Sequence, residues 1–208
     1  TVLGVREGYA WQETPEFNEI DKLINNKLKR LKILPSGTCT DAEFFRRASL
    51  DLTGLPPNGA EVRAFLSDAR DAKTKRAAKI EEQLDSPGYV DQWSHKWSDL
   101  LLSHRKFINE TGIWAFRNWI RQAVAENKPY DEFARELLTS SGSNFRVPPV
   151  NFYRAVPSRD PEGIAEAVAL TCLGERLDRW DPDRRRGLAN FFAMVGYKGT
   201  AEWKEEIV

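Results

Sequence analysis

The sequence predicts an all-α protein, an irregular multi-helix bundle of about eight to ten helices with one long loop. Two observations lead to this class. Apolar residues recur at intervals of three and four along most of the 208 residues, which is the period of one helix face. No alternating apolar and polar pattern of strand length interrupts them. We interpret residues 18–198 as a single helical domain, residues 1–17 as an N-terminal extension, and residues 199–208 as a C-terminal tail or the start of a following element.

Helix boundaries follow from caps and breakers. Thr40 with Glu43, and Asn58 with Glu61, have the spacing of capping boxes that open helices. Pro87 fits the first turn of another helix. The combined pattern predicts helices over about residues 20–31, 41–52, 58–66, 72–84, 87–104, 111–127, 131–138, 162–173 and 181–195. Four of the 7 Trp fall in the central helices, which we interpret as the core.

The composition limits the function. The chain carries 31 Lys and Arg against 31 Asp and Glu, so its formal net charge is zero. Its 7 Trp, 5 Tyr and 11 Phe supply enough large apolar surface to exclude intrinsic disorder. No apolar run approaches the ~18 residues of a membrane span, and zero net charge argues against a nucleic-acid partner. The basic residues between Lys22 and Lys32 and the cluster of residues 184–186 are therefore interpreted as solvated helix faces.

Cys39 and Cys172 are too few for a disulfide framework and belong to no Cys-x-x-Cys pair. They form either one bridge or two ordinary thiols, because the sequence does not report their distance in space. Residues 1–9 contain no basic segment followed by an apolar run, so no signal peptide is visible.

Residues 140–161 are rich in Ser, Gly, Asn, Pro and Arg and have no sustained helical period. A loop of ~20 residues is long for a compact domain, so this one is either functional or lies across the surface as an extended segment. We expect it to offer a contact surface to a partner.

Asp91, His95 and Asp99 recur at intervals of four, which places two carboxylates and an imidazole on one helix face. These groups suit a shared metal ion or proton transfer. The alternative is a solvated face whose i,i+4 pairs contribute roughly 0.2–0.5 kcal/mol each. His104 lies on the apolar stripe and is interpreted as a core histidine. The sequence has no nucleophile elbow, phosphate-binding glycine loop or zinc-protease motif.

Three motifs are similar to those of a known family, the domain of unknown function found in planctomycete cytochrome c-like proteins. They are residues 46–57, with Arg46, Arg47 and Asp51 before a Leu-Thr-Gly-Leu-Pro-Pro turn; residues 126–133, with Asn127, Tyr130 and Asp131; and residues 173–192, with Arg176 and Trp180. The resemblance extends over residues 18–198. We interpret these side chains as structural, and we expect the two arginines and Asp51 to form a buried or half-buried ion pair against the Pro-Pro turn.

The sequence departs from the family in one place. Many members carry a Cys-Ala-x-Cys-His segment, suited to covalent attachment of c-type haem, between Leu-Gly-x-Arg-Leu and Asp-Arg-Trp. Here Leu177 is joined directly to Asp178, so no cofactor is expected for the chain as written. A natural loss, an engineered deletion and omitted residues would each produce this junction.

The family resemblance implies a secreted or periplasmic, cytochrome c-associated protein. We therefore expect a non-catalytic interaction or scaffold module that contacts a protein partner or a neighbouring domain of the same polypeptide. Two alternatives stay open. One is a c-type haem electron-transfer domain that depends on the missing segment, and the other is a metal-dependent enzyme that uses Asp91, His95 and Asp99. We expect no nucleic-acid partner and no membrane span.

Overall fold

The computed structural model describes residues 7–103 and 108–208. Over these residues it contains ten α-helices and one sheet of two short strands, which confirms the all-α class. None of the described helices combines the length and the apolar character that crossing a membrane requires. His104, which we interpreted as a core histidine, lies outside the described residues.

The ten helices of the described residues are α1 (Glu19–Leu31), α2 (Asp41–Thr53), α3 (Gly59–Ser67), α4 (Ala72–Leu84), α5 (Pro87–Leu100), α6 (Glu110–Ala125), α7 (Tyr130–Thr139), α8 (Asn151–Ala155), α9 (Pro161–Val168) and α10 (Pro182–Asn190). Nine of these ten begin within one residue of their predicted starts, whereas α5 and α10 end four and five residues early and α8 is not predicted. The strands are β1 (Lys198–Gly199) and β2 (Glu206–Ile207). Short 3₁₀ turns cover Pro148–Val150 and Leu177–Arg179, and a π-helical segment covers Ala169–Leu173. Both predicted capping boxes are complete.

The turn after α2 depends on Gly54. Its φ of 74° lies in the left-handed region, which glycine adopts without strain. A Cβ at this position would lie 2.5 Å from Oε1 of Gln92 on α5, which is the end of a flexible side chain, so the left-handed φ is the stronger reason for glycine here. This accounts for the glycine of the Leu-Thr-Gly-Leu-Pro-Pro motif.

The core lies around α6 and the short helix α8. Large apolar side chains from several elements form one buried cluster, which includes Phe116, Ile120, Phe133, Leu137, Phe152, Tyr153, Ile164 and Leu177. Helix α5 packs along α6, and α10 packs along α9. The aromatic central helices thus contribute to the core, as the sequence predicts.

The prediction of a surface loop for residues 140–161 is wrong. The segment contains a 3₁₀ turn and α8, and Val150, Phe152 and Tyr153 are only 0%, 2% and 3% exposed. The Asn151 amide donates to the backbone carbonyl of Asn144 at 2.7 Å, so polar residues of the segment satisfy its backbone inside the core. A helix of five residues is too short to show a period, and its polar neighbours resemble a loop. The centre of this segment is therefore no contact surface.

Helix α1 carries its apolar stripe on the outside. Ile20, Leu23 and Ile24 are 66%, 61% and 51% exposed. The buried position of the helix is instead the polar Asn25, whose amide donates to Oε1 of Glu16 at 3.1 Å. Helix α1 therefore packs against the N-terminal segment through its polar side. Within the described residues the first part of its apolar stripe is exposed, while Leu28 and Leu31 are half-buried.

The end of the chain is bonded to the segment that precedes α8. Gly142 and Val208 exchange two backbone hydrogen bonds of 2.9 and 3.1 Å. The Nε of Arg154, a residue of α8, donates to the Glu206 carboxylate at 2.8 Å. These contacts attach β2 to the core. The division of the chain into extension, domain and tail stays a prediction.

Candidate functional site

A half-open groove lined by aromatic side chains lies between α5 and the turn that joins α6 to α7. Tyr89, Trp93 and Trp97 recur at intervals of four on α5, so they follow one another along one side of the groove. Tyr130 and Phe133 of α7 line the other side. The cavity volume is about 120 Å³, which suits one small group at a time and is below the size of typical cofactor pockets.

The rings of the groove are held by packing on one another. The centroid of Trp97 lies 5.1 Å from that of Phe133 and 6.1 Å from that of Tyr130. Trp119 stacks on Phe133 at 4.7 Å with an interplanar angle of 17°. Tyr130 is 50% exposed, so the groove is open on its side. Such mutual packing holds the rings in place before any ligand binds.

Lys128 of the second motif lines the groove and forms an ion pair with Glu136 of α7. Asn127 has a φ of 48°, in the left-handed region that asparagine tolerates better than most residues. After this turn, Nζ of Lys128 lies 2.7 Å from both carboxylate oxygens of Glu136, and Trp119 Nε1 donates to Glu136 at 3.1 Å. Lys128 first, and Trp119 to a smaller extent, hold the pKa of Glu136 below its ordinary value. The charge of the lysine at the groove is thereby neutralised.

Tyr130 also connects the groove to the end of α9. Its hydroxyl donates to the backbone carbonyl of Cys172 at 2.9 Å. Burial raises the pKa of the Tyr130 hydroxyl and that of the Cys172 thiol. Cys39 and Cys172 are both free, so of the two interpretations of the cysteines the one with two ordinary thiols is confirmed.

The remaining residues of the second and third motifs lie near the surface. Asp131 is 3.7 Å from Arg135 in an exposed i,i+4 ion pair, and Arg176 is exposed. Trp180 is half-buried, and the Arg184 guanidinium lies 3.9 Å from the centre of its ring. These contacts are local, and they do not bring the third motif to the groove.

The ion pair expected in the first motif does not form within the described residues. Arg46, Arg47 and Asp51 are all exposed, since they lie on the solvent side of α2 while Phe45 and Ser49 are buried on the opposite side. The helix end is stabilised instead by its left-handed glycine and by the capping box that opens α3. The side chains of the two arginines are therefore available for another role.

Asp91, His95 and Asp99 lie on one exposed face of α5. In the part of the chain that the structure describes, no group of three or more His, Cys, Asp or Glu side chains is arranged to hold a metal ion. The Asp91 carboxylate is paired with Arg121 of α6 instead. Metal binding by these three residues stays a prediction.

The junction of Leu177 and Asp178, where the resemblance implied a haem segment, is a closed turn. Leu177 is 1% exposed, and its carbonyl accepts a hydrogen bond from the Trp180 backbone at 3.1 Å. Covalent attachment of c-type haem needs two neighbouring cysteines and a histidine ligand. Cys172 is a single thiol beside Tyr130, and Cys39 lies before α2, so the residues present do not fit this group.

An all-α domain with an aromatic groove at its surface is the class of protein that the structure defines. The profile of the family described as a protein of unknown function (DUF1549), PSCyt2, matches residues 19–171, and the chain belongs to this family. The match includes the first two motifs and every helix that lines the groove, while the third motif begins beyond it. No curated protein and no solved structure matches the chain.

Sequence reasoning missed the groove. It placed Trp93 and Trp97 among the core residues because aromatic side chains at helical spacing are typical of a core. The signal that could have identified the groove is the third aromatic residue of the same stripe, Tyr89, in combination with the aromatic residues of the second motif.

Proposed function

We propose that this chain is a non-catalytic protein-interaction module whose aromatic groove binds an extended segment of a partner through a proline or aliphatic side chain. The observation that carries the proposal is the stripe of Tyr89, Trp93 and Trp97 facing Tyr130 across a narrow, open groove. Aromatic-lined grooves bind extended proline-rich segments, because such segments are already ordered and lose little entropy on binding.

The charges at the groove favour an apolar ligand. Lys128 is the one ionised side chain among the residues that line it, and Glu136 neutralises that charge. A sugar would need several polar partners for its hydroxyl groups. The polar groups of its lining are Asn127, Lys128, the indole N–H groups of Trp93 and Trp97 and two tyrosine hydroxyls. Of these, the Trp93 N–H is buried and the Tyr130 hydroxyl is already bonded to Cys172.

The same residues support a binding role over a catalytic one. A nucleophile needs a base within hydrogen-bond reach. Among the residues that line the groove, no histidine or carboxylate is present. Burial raises the pKa of Tyr130, so its hydroxyl stays protonated and donates to a backbone carbonyl.

We further propose a secreted or periplasmic setting in which the partner is a separate protein or a neighbouring domain of the same polypeptide. The motifs that resemble planctomycete cytochrome c-like proteins support a c-type cytochrome as that partner. The haem would then belong to the partner, since this chain lacks the residues that attach it. The exposed stripe of α1 supports a second contact with the same partner, because apolar surfaces of this kind are typical of interaction sites.

The groove is tested by titrating the purified chain with a blocked polyproline peptide and following tryptophan fluorescence. We expect saturable binding that Tyr89→Ala and Tyr130→Ala each weaken about tenfold, since aromatic anchors contribute ~1–2 kcal/mol at such sites. Phe191→Ala, at a side chain 83% exposed and outside the groove, is the matched control and should leave affinity unchanged. A neutral oligosaccharide that binds where the peptide does not would contradict the proposal.

The metal-dependent alternative has its own test. Equilibrium dialysis with Zn²⁺ compares the wild type with His95→Ala and Arg121→Gln. Stoichiometric binding that His95→Ala abolishes and Arg121→Gln strengthens would establish a site at Asp91, His95 and Asp99. It would replace the interaction role as the leading hypothesis.

A further inference from the structure

A second cavity, separate from the groove, lies where the loop before α2 folds over the exposed side of that helix. Its volume is about 490 Å³. Loop residues 36–39 line one side, and Glu43, Arg46 and Arg47 of α2 line the other. The cavity is open to solvent and polar in its chemistry, unlike the aromatic groove.

Arg46 and Arg47 both line this cavity and belong to the arginines without a carboxylate partner in the described residues. Arg70, Arg76, Arg121, Arg154, Arg159 and Arg186 each pair with a carboxylate at hydrogen-bond distance. Within the described part of the chain, neither arginine of the cavity has such a partner. Two guanidinium groups with no carboxylate at hydrogen-bond distance leave N–H donors unused in the cavity.

The loop adds further donors to the same cavity. Among the described residues, the backbone N–H groups of Ser36, Gly37 and Thr38 donate to no protein acceptor. The hydroxyls of Ser36 and Thr38 likewise have no protein partner there. Arginine side chains with free backbone N–H groups and hydroxyls are the donors that protein sites use for phosphate and sulfate.

Glu43 is the one acidic side chain that lines the cavity, and it is already engaged. One of its carboxylate oxygens accepts from both the backbone N–H and the hydroxyl of Thr40, each at 2.8 Å. These bonds first, and Arg47 to a smaller extent, hold the pKa of Glu43 below its ordinary value. The carboxylate therefore stays ionised, and with two arginines against one glutamate the cavity keeps a net positive charge.

We propose that Arg46, Arg47 and the loop of residues 36–38 form a binding site for a tetrahedral oxyanion, phosphate or sulfate, as a free ion or as an ester group of a larger ligand. The site does not involve the groove and does not depend on the proposed interaction function. Such a site would give a role to two adjacent arginines of the first motif that are exposed and form no ion pair in the described residues.

Cys39 provides a probe, because it lines the cavity and is half-buried. In a Cys172→Ala background it is the sole cysteine, and its alkylation rate by the neutral reagent iodoacetamide reports occupation of the cavity. We expect phosphate and sulfate to slow alkylation saturably at constant ionic strength. Arg46→Gln and Arg47→Gln should each weaken this protection about tenfold, as expected for one charge-assisted contact.

Arg117→Gln is the matched control. Arg117 is an exposed arginine of α6 that also has no ion pair in the described residues, so the substitution changes the net charge equally. Protection should be unchanged in this variant. Peptide mass spectrometry of the wild type, which resolves the two thiols, gives the same measurement should Cys172→Ala fail to fold.

Three results would overturn the proposal. Equal protection by chloride at the same ionic strength would show charge screening only. Equal protection by acetate would exclude selection of a tetrahedral anion. A loss of protection in Arg117→Gln as large as in Arg46→Gln would show a diffuse effect of net charge.

Discussion

The Tyr130 hydroxyl donates a hydrogen bond of 2.9 Å to the backbone carbonyl of Cys172, which lies 42 residues away in sequence. Tyr130 begins α7, and Cys172 lies in the π-helical segment that follows α9. Cys172 lies in the last turn of this segment, where backbone carbonyls have no partner within the helix and need another donor. Tyr130 supplies that donor and at the same time forms an open side of the aromatic groove.

Tyr130→Phe removes this hydrogen bond and keeps the ring. We expect the free energy of unfolding, measured with urea, to fall by about 0.5–1.5 kcal/mol. Tyr89→Phe is the matched control, because the Tyr89 hydroxyl has no hydrogen-bond partner within the described residues. A larger loss for Tyr89→Phe than for Tyr130→Phe would contradict the role of the Tyr130 hydroxyl.

Glu136 makes stability depend on pH. Its pKa is held below the ordinary value of 4.5, chiefly by Lys128, so its ionised form is favoured in the folded state. The stability it contributes is present above the unfolded-state pKa and is lost as the pH falls through the lower folded-state pKa. In urea unfolding at a series of pH values, the wild type should lose more stability below about pH 4.5 than Glu136→Gln does. If the free energy of unfolding depended on pH in the same way for both proteins, the contribution of the Glu136 ion pair would be refuted.

Phe152 tests whether α8 belongs to the core. Its side chain is 2% exposed, and we expect Phe152→Ala to lower the free energy of unfolding by about 3–5 kcal/mol. Phe191, the residue after the end of α10, is 83% exposed. Phe191→Ala should therefore change stability by less than about 0.5 kcal/mol. A similarly small loss of stability in both variants would instead support the surface loop that the sequence predicts for residues 140–161.

Glu206 tests the attachment of the end of the chain. Its carboxylate accepts from Arg154, whose side chain is only 9% exposed. Glu206→Gln leaves this guanidinium without its countercharge, and we expect a loss of roughly 1–3 kcal/mol. Glu202→Gln, at an exposed residue of the same segment, should be neutral. If the urea concentration at the midpoint of unfolding were unchanged in Glu206→Gln, the contact of β2 with Arg154 would not stabilise the core.

Helix boundaries could be predicted from the sequence because caps are local. The boxes of Thr40 with Glu43 and of Asn58 with Glu61 satisfy free backbone N–H groups within one turn, whatever the rest of the chain does. The left-handed glycine at the end of α2 is local in the same way. Such signals located most of the helices.

Burial could not be predicted in the same way, because it depends on distant contacts. Helix α8 has too few residues for a period, so nothing in its sequence distinguishes a buried helix from a loop. The stripe of α1 has a clear period, yet Asn25 faces the N-terminal segment and Ile24 faces outward. A period shows that a helix has an apolar side, and only tertiary contacts decide what covers that side.

The candidate site was predictable in part. The second motif drew attention to Asn127, Tyr130 and Asp131, and two of these three line or shape the groove. The pairing of Lys128 with Glu136 was not foreseen, because it depends on the left-handed turn at Asn127. The ion pair expected of Asp51 failed for a related reason, since the rotation of α2 places that residue toward solvent.

The indole N–H resonances of the protein test the binding groove most directly. The chain has 7 Trp, which Trp→Phe substitutions assign one by one in ¹⁵N spectra. With a blocked polyproline peptide, we expect the resonances of Trp93 and Trp97 to shift saturably. Those of Trp114 and Trp203, which are 62% and 84% exposed and lie outside the groove, should stay in place. Shifts confined to Trp114 and Trp203, or saturable binding that leaves Trp93 and Trp97 unchanged, would contradict the groove as the binding site.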